Sequence, residues 1–120
     1  VEFLTKKGDK VRSKSEKIIA DMLSDLKIPY KYEYPLYLKN NTRIYPDFTI
    51  LHPDTLEEYY WEHHGMMDKP DYANKTLLKL SRYSSNGITV GQKLIISLES
   101  SLHPLNVREI RMIIKNVFNR

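Results

Sequence analysis

Three extended segments in succession, set between helix-patterned segments, constrain this chain more than any other feature. Tyr30–Leu38 is rich in Tyr and has strand character, and Lys39-Asn40-Asn41-Thr42 supplies turn chemistry. Arg43–Leu51 predicts a second strand with Ile44, Phe48 and Ile50 on one face. His52-Pro53-Asp54-Thr55 makes the next turn, and Glu57–His63 predicts a third strand dense in aromatics. Upstream, Ile18, Ile19, Met22, Leu23 and Leu26 recur at helical spacing within Lys10–Lys27, and Pro29 follows the end. Downstream, Pro70 opens a helix that runs to about Ser85, where Asn86-Gly87 ends it. Lys93–Leu98 is apolar enough for a buried strand. Asn106, with Glu109 three residues on, marks the start of a last helix with Ile110, Ile113, Ile114 and Val117 on its apolar face. The order is α-β-β-β-α-β-α. A meander followed by a helical crossover predicts an α/β fold with a mixed four-stranded sheet flanked by helices.

A length of 120 residues suits one domain, residues 1–120, with one core. Val1 in first place suggests a domain excised from a larger protein, whose other domains would be partners. The absence of Cys excludes disulfides, thiolate zinc sites and thiol nucleophiles, and it suits a reducing, cytoplasmic setting. Apolar runs are short, so no membrane partner is expected. The balance of 19 Lys+Arg against 15 Asp+Glu gives a net charge of +4. That value fits a polyanionic partner and an ordinary soluble surface equally well, so the placement of the charges must decide.

Strand alternation sorts the acidic residues. Asp47 alternates with Phe48 and Ile44, so it points away from their face and shares a side with Arg43, Tyr45 and Thr49. Glu62 shares a side with Tyr60 and His64, while Trp61 and His63 point the other way. If the two strands pair as a hairpin, Asp47 and Glu62 lie side by side. Adjacent carboxylates repel unless a cation or a proton lies between them, and such a pair suits a hard divalent ion bound through oxygen. Glu16 lies at the edge of the first helix's apolar stripe, with Arg12 four residues earlier. Two readings stand: an ion pair of Glu16 with Arg12 at helical spacing, or a third carboxylate reaching over the sheet toward the ion. His63 and His64 point to opposite faces, which argues against a shared zinc ion. Of the nine Tyr, most fit strand packing; Tyr45 and Tyr83 are the best placed for base stacking.

These residues resemble the PD-(D/E)XK nuclease superfamily. Pro46-Asp47-Phe48 matches the "PD" element, and Glu62-His63-His64 occupies the place of "(D/E)XK". Arg12-Ser13-Lys14-Ser15-Glu16 is similar to the helix that supplies an extra Glu in many members, and the likeness spans about Lys10 to Leu98. The sequence departs from the pattern at the Lys position, which holds His64. Lys79-x-x-x-Tyr83 on the following helix resembles the Gln-x-x-x-Tyr motif of RecB-type nucleases, with Lys in the Gln position. The resemblance implies a restriction-endonuclease-like core and metal-dependent cleavage of DNA, with Mg²⁺ or Mn²⁺ as cofactor. It implies that Asp47, Glu62 and the backbone carbonyl of His63 hold the ion, that Glu16 binds it directly or through water, and that Lys79 supplies the missing cation, with Lys75 or His64 as alternatives. Arg12, Lys75, Arg82 and Tyr83 would then contact nucleic acid. A homodimer is compatible with this reading. Two other readings stay open: a degenerate nuclease fold that binds DNA or protein without cutting, favoured by His64, and an interaction unit that uses the Tyr-rich sheet as its interface.

Overall fold

A computed structural model describes residues Val1–Arg120. The chain opens with a small hairpin of β1 (Phe3–Leu4) and β2 (Lys10–Val11), followed by α1 (Lys14–Asp25). Next come β3 (Tyr30–Tyr32), β4 (Leu36–Tyr37), a short 3₁₀ turn at Lys39–Asn41, β5 (Arg43–Ile44), β6 (Phe48–Leu51) and β7 (Glu58–His64). Helix α2 (Pro70–Ser85), strands β8 (Thr89–Val90) and β9 (Lys93–Leu98), and helix α3 (Val107–Phe118) complete the chain.

The main sheet is mixed and has five strands, not the four expected, in the order β3-β6-β7-β9-β8. β3, β6 and β7 form the antiparallel meander, and α2 then carries the chain across to β9, parallel to β7. The fifth strand is β8, a two-residue segment that a sequence pattern this short does not announce. Gly91, at φ 84°, turns the chain immediately after it.

Two expected strands are shorter than their apolar patterns. Tyr30–Leu38 breaks after Tyr32, because Glu33 takes φ 50° and Pro35 follows. Arg43–Leu51 breaks at Tyr45–Asp47, around Pro46. The break has a consequence for packing. Ile44 does not share a face with Phe48 and Ile50; it packs with Tyr83 and Leu94 under α2. Phe48, Ile50 and Trp61 instead pack against Ile19, Ala20 and Leu23 of α1 and Ile110, Ile114 and Phe118 of α3. The molecule is therefore three-layered, with α1 and α3 on one face of the sheet and α2 on the other. No helix is long and apolar enough to cross a membrane.

Candidate functional site

The register of the meander brings the two expected carboxylates together. Phe48 lies opposite Trp61, Thr49 opposite Tyr60 and Ile50 opposite Tyr59. The ladder ends at Phe48 and Trp61; just beyond it, Asp47 reaches the His63 amide and its carboxylate feels the charge of Glu62, with Pro46 the next residue back. Proline has no N–H, so position 46 offers no ladder donor to the His63 carbonyl. The amide of His63 is taken up elsewhere: it donates to Asp47 Oδ2 at 2.7 Å. The Pro-Asp dipeptide thus ends the regular ladder and fixes the Asp47 carboxylate against the neighbouring strand.

Glu62 is fully buried. Both of its oxygens are engaged from α2, one by Lys79 Nζ at 2.8 Å and the other by the Tyr83 hydroxyl at 2.6 Å. Lys79 and Tyr83 are one helical turn apart, so both reach the same strand residue. Lys79 also donates to the Tyr45 carbonyl at 3.1 Å. Burial raises the pKa of Glu62, against the lowering effect of Lys79 and Tyr83. Asp47 is pushed up to about 8, first by burial, then by the charge of Glu62, with Glu16 adding to the effect. Its second oxygen, Oδ1, receives no protein donor, which leaves it available to the cleft. Tyr83 is driven upward by burial and by Glu62.

Glu16 is buried at the N-terminal end of α1. The helix starts later than its apolar pattern predicts, with Ser13 as N-cap accepting from the Glu16 amide. Glu16 Oε1 accepts in turn from the Arg12 amide at 2.9 Å and the Tyr32 hydroxyl at 3.0 Å. This is a variant of the capping box, with the acidic side chain reaching one residue beyond the cap. Arg12 is consequently not on the helix, and its guanidinium pairs with Glu33 at 2.7 Å rather than with Glu16. The helical ion-pair reading of Glu16 is thereby corrected.

His64 is buried on the Glu62 side, with Nε2 at 3.7 Å from Glu62 Oε1 and otherwise unpartnered. Its Nδ1 lies near Thr76 Oγ1 and the Tyr72 hydroxyl. Burial, with the charges of Lys79 and His63, lowers its pKa to about 4, so it is neutral near pH 7. The only cation bonded to Glu62 is Lys79.

His63 lies on the opposite face, beside Trp61, as alternation predicts. Trp61 Nε1 donates to Ser97 Oγ at 2.9 Å, and that hydroxyl lies 2.7 Å from His63 Nδ1. His63 Nε2 meets Glu99 Oε1 at 2.6 Å, and the Ser15 hydroxyl donates to the same carboxylate. Burial works to raise the pKa of Glu99, but the bonds from Ser15 and His63 outweigh it and hold it low. Ser97 and Glu99 escape sequence reasoning; the one available clue is that a strand parallel to β7 must place residues beside His63. Ser15 carries no signal at all.

Asp47, Glu62, Glu16, His63, His64, Arg12, Lys75 and Lys79 line one cleft of about 770 Å³. Arg82 lines a second cleft of about 760 Å³ that shares Arg12, Asp47, Lys75 and Lys79 with the first. Tyr83 is fully buried behind Glu62, which removes it from direct contact with nucleic acid. The carboxylates line the cleft without closing into a three-ligand cluster. The donor set nevertheless fits a hard cation: buried carboxylate oxygens, a carbonyl denied its ladder donor, and a mutual repulsion that a positive charge relieves. Comparison with family models, curated proteins and solved structures gives no match, so the site stands on its own geometry.

Proposed function

We propose that this chain is a divalent-metal-dependent nuclease domain with a restriction-endonuclease-like core of the PD-(D/E)XK type, hydrolysing phosphodiester bonds of DNA. The observation that carries this reading is the Asp47 carboxylate held beside Glu62 in one cleft, against the His63 amide, with Lys79 bonded to Glu62. Asp47, Glu62 and the His63 carbonyl would hold Mg²⁺ or Mn²⁺, with Glu16 as a further oxygen donor. When bound, the ion supplies Lewis acidity toward the scissile phosphate and acidifies water. Asp47 must give up its proton to become a ligand, which links binding to pH. Lys79, held by Glu62 and the Tyr45 carbonyl, offsets negative charge developing on the phosphate. Arg12, Lys75 and Arg82 position backbone phosphates without reading bases. His64, neutral and buried, shapes the pocket beside Glu62 and brings no charge.

The engagement of both Glu62 oxygens by Lys79 and Tyr83 favours a second reading, in which the site is locked and the domain binds DNA or protein without cutting. One experiment separates the two: calorimetric titration of Mn²⁺ into wild type and Asp47→Ala, followed by cleavage assays on plasmid and on a labelled single strand with both proteins. The nuclease reading expects saturable binding and cleavage that both vanish in the variant. Binding without cleavage selects a degenerate domain that holds the ion but does not cut, with His64 in the Lys position the suspect. No binding by wild type overturns the metal site.

A further inference from the structure

Beside the carboxylates, the short β4–β5 ladder presents an aromatic and basic surface that the proposed chemistry does not use. Tyr37 and Arg43 are directly paired across this ladder. The Arg43 guanidinium lies 5.9 Å from the Tyr37 ring and 5.7 Å from the Tyr45 ring, within cation–π range of both. Tyr37 is 69% exposed and Tyr45 45% exposed, so their large apolar faces are spent on solvent. Tyr45 is tied to the site in two ways: it stands two residues before Asp47, and its carbonyl holds Lys79. Arg43 and Tyr45 line the same cleft as Asp47, Lys75, Lys79 and Arg82. Arg43, Lys75 and Arg82 have no carboxylate partner, so their charge is available to phosphates.

We infer that Tyr37, Arg43 and Tyr45 form a stacking platform for unpaired bases, and that the cleft takes a single-stranded stretch of DNA whose backbone lies along Lys75 and Arg82. The inference takes the cutting chemistry from the nuclease reading and adds the form of the substrate. The physical ground is the pairing of exposed rings with unpartnered cations. Cations alone suit the phosphates of any nucleic acid, duplex included. Rings add affinity only when a base presents its face, which a duplex denies everywhere but at its ends. Tyr45 and Asp47 are two residues apart, a span of at most about 7 Å of chain, and both line this cleft.

The test is fluorescence anisotropy in chelator, where no cutting occurs, with labelled oligothymidylate and a blunt duplex of equal length. Wild type is expected to bind the single strand about tenfold more tightly than the duplex. Tyr37→Ala and Tyr45→Ala should each weaken single-strand binding by about tenfold, the usual scale for one lost base stack, and leave duplex binding unchanged. Tyr45→Trp should restore it. Equal affinity for the two forms, an equal loss on both in the Ala variants, or no binding at all would overturn the platform. Its failure is distinct from that of the nuclease reading: single-strand preference with no Mn²⁺-dependent cleavage of either a labelled single strand or plasmid sinks the nuclease and keeps the platform, and cleavage without the preference does the reverse.

Discussion

The Asp47 carboxyl makes the folded chain pay for its own site, and Asp47→Asn exposes the cost. Burial and Glu62 raise this group from 3.8 to about 8. The unfolded chain loses its proton at about pH 4, while the folded chain keeps it to about pH 8. Over that window the native state binds more protons, so stability falls as pH rises, by at most ~1.4 kcal/mol per pH unit from this group. Across the full window the ceiling is about 6 kcal/mol. Proton sharing with Glu62 spreads part of this over the pair, and water in the cleft relieves another part. Asn keeps an oxygen to accept from the His63 amide and removes the titration. Asp47→Asn is therefore expected to be more stable than wild type by about 1–3 kcal/mol at pH ~8, with little difference at pH ~4. Urea denaturation in chelator at a series of pH values measures this through the shift in midpoint at constant slope. A variant less stable than wild type at pH ~8, or a difference that does not change with pH, would refute the reasoning. In wild type, Mn²⁺ should recover the loss, and its affinity should fall by up to about tenfold per unit as pH drops below about 8.

Lys79→Met should retain Mn²⁺ binding, since a competing cation has gone, while cleavage drops by about 10²–10³; calorimetry and nicking on one preparation read both. His64→Gln should cost far less activity than Lys79→Met. The wild-type pH–rate profile should also lack a limb at pH ~6–7 that this substitution removes, because His64 titrates at about 4. Tyr83→Phe leaves the buried Glu62 short of one donor and should cost about 1–3 kcal/mol by thermal or urea unfolding. Ile114→Ala, in the fully buried layer under α3, should cost about 2–5 kcal/mol and leave Mn²⁺ affinity unchanged.

Helix ends were legible because single residues make them. Asn106 accepts from the amides of Arg108 and Glu109, and Pro70 opens α2. Ser13 is a cap as well, but the basic residues before it continue the helical pattern and hide the boundary. The shared side of Asp47 and Glu62 was legible from period-two alternation once the two strands are taken as a hairpin, but the register was not, because the six residues between Leu51 and Glu58 do not fix it. The strand breaks at Glu33 and Pro46 were not, because apolar spacing continues across both and the backbone departure is local. Lys79 at the site is legible only through the resemblance to the Gln-x-x-x-Tyr motif, and the bond of Tyr83 to Glu62, in place of a contact with nucleic acid, is not legible at all. Nor is the chain from Trp61 through Ser97 and His63 to Glu99 and Ser15. It joins three elements far apart in sequence, and hydroxyls and a carboxylate at such positions look like ordinary surface until the parallel strand is laid beside them.

Backbone groups in a sheet normally satisfy one another, and a central strand pair that closes completely has nothing left to offer a ligand. At Pro46 the chain leaves the central ladder, and the residues before it turn away to pair β5 with β4. Restoring an N–H there, as in Pro46→Ala, would let the seam close on the His63 carbonyl and compete with Asp47 for the amide beside it. The chain thus keeps a carbonyl free of a ladder donor among its central strands with a residue that lacks one hydrogen atom, at the point where the strand leaves the main sheet.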